Sequence, residues 1–170
     1  RLARRGRAQN LVQRARLLAV VRRFFEAHGS LEVETPVRVE SPGLDVHLDA
    51  LAIDDGRYLT TSPEYHMKRL VAGGLPRVHQ IVRCFRRGEV GPRHNPEFTM
   101  LEWYRALASF EDMLQETEAL VVEVATAARS RPELVTGQGR VVDLAPPFER
   151  LPIARAFERH TKLSAEQALA

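Results

Sequence analysis

From Asn10 to His28 the apolar residues Leu11, Ala15, Leu18, Val21 and Phe25 recur at helical spacing. Leu17, Val20 and Phe24 widen that stripe, arginines fill much of the remainder, and Gly29 supplies a stop. Leu31-Glu32-Val33-Glu34 alternates as a half-buried strand does and is cut by Thr35-Pro36. Ser41-Pro42-Gly43 reads as a loop, and Asp54-Asp55-Gly56 as the turn of a hairpin between two short strands. Ser62-Pro63-Glu64 has the chemistry of a helix start: an N-cap serine, a proline at the first position, then an acid. That helix runs to Val71 or Ala72, where Gly73-Gly74 release it.

Arg77 to Arg86 reads as a strand with Val78, Val82, Cys84 and Arg86 on one face. A polar loop over 87–97 leads to a second strand, Phe98 to Tyr104, so the two form an antiparallel pair. Phe110 to Arg129 is a strong helix capped by Ser109, with Glu111 and Asp112 in its first turn. Residues 131–138 read as a linker, Arg140 to Leu144 as a short strand, Ile153 to His160 as a helix, and Ser164 as the cap of a last helix reaching Ala170. This mixture predicts an α+β fold, an antiparallel sheet flanked by helices, and not a doubly wound parallel sheet.

Composition changes the picture only a little. With 170 residues, 44% hydrophobic and 28% charged, the chain has the makings of a globular domain with a real core, or of part of one. No apolar run approaches the roughly 20 residues that span a bilayer, and no signal peptide is visible, so a membrane role is excluded from the reading. Cys84, the one cysteine, excludes an internal disulfide framework, fits a reducing cytoplasm, and reads as a small buried side chain in a strand. The net charge is +3, and lysine occurs only at Lys68 and Lys162. Eight arginines precede the first acid, Glu26; they suit either a phosphate-neutralising arm or, the plainer reading, a solvated helix face.

Candidate chemistry concentrates between Arg83 and Tyr104. Arg86 ends one strand, Arg87 and Arg93 lie in the loop, and His94 sits near its far end. Phe98 opens the return strand, with Glu102 and Tyr104 on the same face. Guanidinium groups suit phosphate oxygens, an aromatic face suits a purine, and a carboxylate beside a phenol suits an ammonium. From the residues alone, a nucleotide-plus-cation site competes with a solvated polar hairpin, and the hairpin weighs more.

A resemblance shifts that balance. RCFRRGEVGPRHNPEFTMLEWY (83–104) resembles motif 2 of the class II aminoacyl-tRNA synthetases, and HNPEFTM (94–100) has the form typical of the lysyl branch. AHGSLEVETP (27–36) resembles motif 1, which builds the dimer interface in that class, and TSPEYHMKRL (61–70) resembles the substrate-recognition helix. Within the lysyl branch the chain is most similar to the elongation factor P lysine ligases: Ser62 stands where lysyl-tRNA synthetases usually have alanine, and Glu102-Trp103-Tyr104-Arg105 matches the ligases' strand. The nine residues ahead of the first helix are too few for the OB-fold of a tRNA synthetase.

The resemblance implies a basic arm over 1–9 and a class II catalytic domain over 10–170, carrying motifs 1 and 2 with motif 3 expected beyond Ala170. It implies ATP and Mg²⁺ as cofactors, the metal ligands lying with motif 3, and a cytoplasmic homodimer. It implies that lysine or (R)-β-lysine is activated as an adenylate and passed to a lysine of elongation factor P. The alternatives are a lysyl-tRNA synthetase fragment acting on tRNA, and an inactive truncated paralogue. In that frame Glu64 binds the substrate's amino group, with Ser62 and Pro63 shaping the wall. Arg86 grips the α-phosphate and the substrate carboxylate as the catalytic cation, His94 and Asn95 contact ATP, and Phe98 stacks on adenine. Glu102 and Tyr104 receive the distal ammonium. The family's glutamate two places after the arginine is Gly88 here, and Glu89 follows it as the substitute for reading adenine.

Overall fold

The amphipathic, arginine-rich stretch forms α1 (Arg5–Ala27) in a computed structural model that describes residues 5–43, 45–161, 163, 164, 166 and 167. The helix starts ahead of Asn10 because Arg7, Ala8 and Gln9 are adequate helix formers that extend it into solvent without apolar contacts. Of the basic segment 1–9, residues 1–4 lie outside the described residues. At the other end Gly29 takes φ +70°, Gly29 N–H donates to the Glu26 carbonyl at 2.9 Å, and Ser30 N–H to the Phe25 carbonyl at 2.9 Å. These two bonds satisfy carbonyls that a helix end otherwise leaves open.

Only the second half of α1 is buried. Val20, Val21, Phe24 and Phe25 are core residues, whereas Leu11 and Val12 are more than half exposed. Phe25 has no exposed surface, stacks on His79 with ring centroids 4.6 Å apart, and meets Trp103 at 5.5 Å. Truncating such a ring to alanine costs about 3–5 kcal/mol. His79 and Trp103 belong to the sheet that this helix covers.

That sheet contains β1 (Leu31–Glu32), β5 (Arg77–Phe85) and β6 (Glu97–Arg105) in the order β1-β5-β6. The expected strand over Leu31–Glu34 shortens to β1, which pairs parallel with β5 (Leu31↔Val78), and Val33 N–H adds a bond to the His79 carbonyl at 2.9 Å. β5 and β6 are antiparallel along their whole length, from Arg77↔Arg105 to Phe85↔Glu97. Because β5 is central, it carries buried residues on both faces: His79 lies beneath α1, and Val78, Gln80, Val82 and Cys84 lie on the opposite face. Strand β6 sits at the edge and is half-buried.

The opposite face is served by α2 (Glu64–Ala72), which contacts β5 and β6 and buries Met67 completely. Between β1 and α2 the chain makes a small sheet of β2 (Arg38–Val39), β3 (Leu51–Ala52) and β4 (Tyr58–Leu59), ordered β2-β4-β3. The hairpin expected at Asp54-Asp55-Gly56 is present, with Gly56 at φ +76°. Two backbone bonds fasten this layer to the end of β5: Phe85 N–H to the Thr60 carbonyl at 2.9 Å and Arg87 N–H to the Asp49 carbonyl at 2.7 Å.

Helix α3 (Phe110–Arg129) begins at a reciprocal cap in which Asp112 N–H donates to Ser109 Oγ at 3.1 Å and Ser109 N–H to Asp112 Oδ2 at 2.8 Å. Those Ser109 donors hold the Asp112 carboxyl below its ordinary value. One turn on, buried Glu116 accepts from Arg77 at 2.6 Å and from Arg105 at 3.3 Å, tying the helix start to both long strands.

The chain divides into two compact units, Arg1–Glu116 and Thr117–Ala170. In the second, β7 (Glu133–Val135) pairs antiparallel with β8 (Val141–Asp143), and α4 (Ile153–His160) follows. The linker expected over 131–138 is therefore partly strand. Pro132, Gly137 and Gly139 disguised it, yet Thr136 N–H closes the turn on the Arg140 carbonyl at 2.9 Å, with Gly139 at φ +81°. Ser164 and Gln167 form the expected cap, Gln167 N–H donating to Ser164 Oγ at 3.1 Å, while 165 and 168–170 lie outside the described residues.

His79 gives the fold a pH dependence. Burial holds its imidazole below the ordinary value of 6.5, with the Glu32 charge opposing and the Arg22 charge assisting. A depressed pKa means that the unfolded chain binds the proton more readily, so stability is present above about 6.5 and is lost as pH falls from there towards the folded value. Melting temperatures measured from pH 7.5 to 5 should fall with a shallower slope in His79→Phe than in the wild type. An unchanged slope would show that His79 is not the coupled group.

Candidate functional site

The β5–β6 register brings the site's polar groups to one face. Phe98, Glu102 and Tyr104 alternate on the side of β6 that faces α2, opposite Cys84, Gln80 and Val78 of β5. Ser62 Oγ donates to Glu102 Oε1 at 2.5 Å, and the Tyr104 hydroxyl donates to Glu102 Oε2 at 2.7 Å. Each carboxylate oxygen thus carries one hydroxyl and keeps accepting capacity for another donor. Burial, and then the Glu102 hydrogen bond and charge with the Glu64 charge behind it, push the Tyr104 phenol well above its ordinary value of 10. It therefore remains a donor to Glu102 across the physiological range.

Ser62 also accepts from Glu64 N–H at 3.1 Å, so one hydroxyl joins the start of α2 to the middle of β6. The residue before the helix is Pro63, fully buried at φ −78°, and Ser62 caps from one place further back than expected. The fold has a reason for this: the serine hydroxyl must reach both the helix N–H and the strand carboxylate. Glu64 is half-buried, and its Oε1 accepts from Lys68 Nζ at 2.5 Å one turn along the helix.

The second cluster lies at the loop end of the ladder. Arg86 N–H donates to the Pro96 carbonyl at 2.9 Å, extending the strand pairing by one bond. Its guanidinium lies 5.1 Å from the Phe98 ring centroid, donates from Nε to the Thr61 carbonyl at 3.4 Å, and stands 3.7 Å from Glu89 Oε1. The cation lies over an aromatic face, an arrangement that favours it and leaves further guanidinium donors for an oxyanion. Gly88 takes φ +78°, and a side chain there would meet nothing within 4 Å, so backbone conformation and not space calls for glycine. Glu89 then reaches back to Arg86.

His94 and Asn95 lie exposed in the loop, where His94 and Gly91 exchange backbone bonds of 3.1 and 3.3 Å. Among the described residues no side-chain hydrogen bond joins them to Arg86, Phe98 or Glu102. The structure thus brings Ser62, Pro63, Glu64, Glu102 and Tyr104 into one cluster and Arg86, Glu89 and Phe98 into another, with His94 and Asn95 outside both. Residue-level reasoning missed Lys68 and the Thr61 carbonyl. The i,i+4 spacing of Glu64 and Lys68 was the available signal for the first. No signal in the sequence marks a backbone acceptor.

A cavity of about 480 Å³ lies on the other flank of α2, lined by Arg38, Arg57, His66 and Arg69 among others. It contains none of the residues of the two clusters. Arg57 is paired with Glu40 at 3.2 Å and Arg38 with Asp55, which offsets much of its positive charge.

The chain belongs to the class II tRNA synthetases (D, K and N), whose family model matches residues 1–169. It is 41% identical over 173 aligned residues to a lysine–tRNA ligase of Anaeromyxobacter sp. (strain K), an overlap covering 97% of this chain and 33% of that protein. It is 40% identical to an elongation factor P–(R)-β-lysine ligase of Erwinia tasmaniensis, covering 94% of this chain and 47% of that protein. A ligase of the latter name from Klebsiella pneumoniae is 39% identical over the same shares. The chain thus spans between a third and a half of the length of these curated relatives. The α+β expectation of a class II synthetase domain, in its N-terminal part, holds. No helix among the described residues is long and apolar enough to cross a membrane.

Cys84 lies between the two clusters without exposed surface, its thiol pushed up to about 11 by burial and then by the Glu102 charge, against the opposing charge of Arg86. It should react with a thiol reagent at pH 8 on the order of a hundredfold more slowly in the folded chain than in denaturant. Equal rates would mean that this face of the sheet opens readily.

Proposed function

We propose that the intact protein activates lysine or (R)-β-lysine with ATP and transfers the aminoacyl group to a lysine of elongation factor P. One observation carries this reading: Glu102 is a fixed carboxylate, held by Ser62 and Tyr104 on both oxygens, with Glu64 tied to the same serine. Two carboxylates, one at the start of α2 and one on β6, suit a substrate that carries two ammonium groups. Glu64 takes the amino group near the carboxyl end, and Glu102 with Tyr104 takes the distal one. A site built this way discriminates strongly, because an analogue without the distal ammonium leaves Glu102 unpaired.

Arg86 faces the reacting end. In the first step a carboxylate oxygen of the amino acid attacks the α-phosphorus of ATP, and pyrophosphate leaves. No protein nucleophile is required, so rate depends on alignment and on charge stabilisation, which the half-buried Arg86 guanidinium supplies. Phe98 offers its face to adenine, and His94 and Asn95 are the loop groups nearest in sequence for the triphosphate and ribose. Glu89, brought back by the turn at Gly88, is the carboxylate available to the adenine amino group. Mg²⁺ would neutralise the triphosphate. Among the described residues no group of three or more His, Cys, Asp or Glu is placed to hold it, and its ligands are expected with motif 3. In the second step the amine of the acceptor lysine attacks the adenylate carbonyl and AMP leaves.

Charging of tRNA is the second reading, favoured by the 41% identity to a lysine–tRNA ligase. It shares the first step and differs in the acceptor, a ribose hydroxyl. Ser62 supports the protein acceptor over the tRNA because of the alanine usual in lysyl-tRNA synthetases. Residues 10–170 are read as part of the catalytic domain, and the cytoplasmic setting and the homodimer are part of the same proposal. The exposed Leu31 on an edge strand, with exposed Leu11 and Val12 on α1, supports a dimer surface there.

The test is lysine-dependent ATP–pyrophosphate exchange by the intact protein, followed by transfer of labelled lysine or β-lysine to elongation factor P or to tRNA. Exchange with transfer to the protein is expected, and transfer to tRNA alone would establish the second reading. Arg86→Ala should lower exchange by roughly 10²–10³-fold, the scale of losing one charge-stabilising group, while Arg16→Ala on the exposed side of α1 should leave it within about twofold. Absence of exchange in the wild type would mark an inactive paralogue.

A further inference from the structure

We infer that Lys68 is a positioning residue whose ammonium holds one oxygen of Glu64 and leaves the other oxygen for the amine of the substrate. The inference rests on the functional reading above, in which Glu64 receives that amine.

The geometry is specific. Lys68 Nζ stands 2.5 Å from Glu64 Oε1, one turn along α2, while among the described residues no hydrogen bond engages Oε2. The Glu64 backbone is fixed independently, because its N–H donates to Ser62 Oγ, and Ser62 is fixed by Glu102. Backbone and one carboxylate oxygen are therefore both restrained, and the remaining oxygen is the free acceptor of the pair. The Glu64 hydrogen bond and charge raise the Lys68 ammonium above its ordinary value, with Tyr65 and, last, Glu102 adding to them.

The identity of the residue is the second argument. The chain has 25 lysines and arginines, and lysine occurs only at 68 and 162. Where a helix pair of the ordinary kind occurs, as at Arg155 and Glu158, the cation is arginine. An arginine at position 68 would carry the same charge, but its planar fork matches a carboxylate through both oxygens at once. An ammonium is a point charge and is satisfied by one. In a chain that uses arginine almost everywhere, lysine at this position fits a need to leave Oε2 open.

The ordinary alternative is a solvated i,i+4 pair that only supports the helix, and such a pair tolerates arginine. This makes the charge-conserving substitution the informative one. In the intact protein, Lys68→Arg should raise KM for lysine about tenfold in pyrophosphate exchange, with kcat and KM for ATP within about twofold, because ground-state binding of the amine is what is lost. Lys68→Gln, which unpins the carboxylate without blocking it, should raise KM for lysine less, by roughly threefold. The Lys68 side chain is 57% exposed, so the melting temperature should not move in either variant, which separates the effect from misfolding. An unchanged KM for lysine in Lys68→Arg, or a parallel rise in KM for ATP, would overturn this inference and leave the functional reading standing. No lysine-dependent exchange by the wild type would overturn both.

Discussion

The antiparallel pairing of β5 with β6 is the constraint on which the rest of this structure depends. It presents one face to α1, through His79 and Trp103, and the other to α2, through Gln80, Cys84, Glu102 and Tyr104. Because side chains alternate with a period of two, a slip of one residue would turn Glu102 and Tyr104 towards Phe25. The register is therefore pinned from several directions. Phe25 fills the α1 side, Glu116 clamps Arg77 and Arg105 at one end, and the Arg86–Pro96 backbone bond closes the other. Core and candidate site are two faces of one ladder, and neither can be altered alone.

Charge in the site is arranged so that no carboxylate stands alone. Glu64 has Lys68, Glu89 has Arg86, and Glu102, with no ion pair among the described residues, has two hydroxyl donors. This asymmetry is informative. A carboxylate satisfied by hydroxyl donors has no counter-charge in contact, whereas one beside a guanidinium already faces a cation. Glu102 is thus the position in the described structure best prepared for an incoming cation. Arg86, over Phe98 at the loop end of the ladder, sets the opposite charge there. In the proposed function, this places a cation acceptor at the tail of the substrate and a cation at its reacting end.

Much of this was legible before any coordinates. Helices α3 and α4 run between the residues that the sequence pattern indicated, and Ser109 marks the start of α3 by local chemistry alone. The long antiparallel pair was legible for the same reason, its two alternating runs being separated by a polar loop. The strand β7 was not, since three residues between a proline and two glycines carry too little pattern to outweigh the breakers around them. In the site, type and face were readable for Glu102, Tyr104 and Phe98, which lie on one strand with a fixed period. What could not be read was which hydroxyl meets which oxygen. Ser62 meets Glu102 across 40 residues of sequence, through a contact that only the docking of α2 on β6 creates.

The position of Gly88 shows why spacing and contact must be kept apart. Measured by spacing, the acid that should follow Arg86 at two places is missing, and the site looks impaired. Measured by contact, Glu89 stands 3.7 Å from Arg86 because the backbone at Gly88 is left-handed, at φ +78°. A glutamate at 88 would have to adopt that conformation at a cost of about 1–2 kcal/mol, or straighten the turn and carry residue 89 away. The glycine and the delayed glutamate are one device: the first bends the chain so that the second can return. A motif written as a string of residues records only one of the ways in which a carboxylate can be kept beside a guanidinium, and this loop uses another.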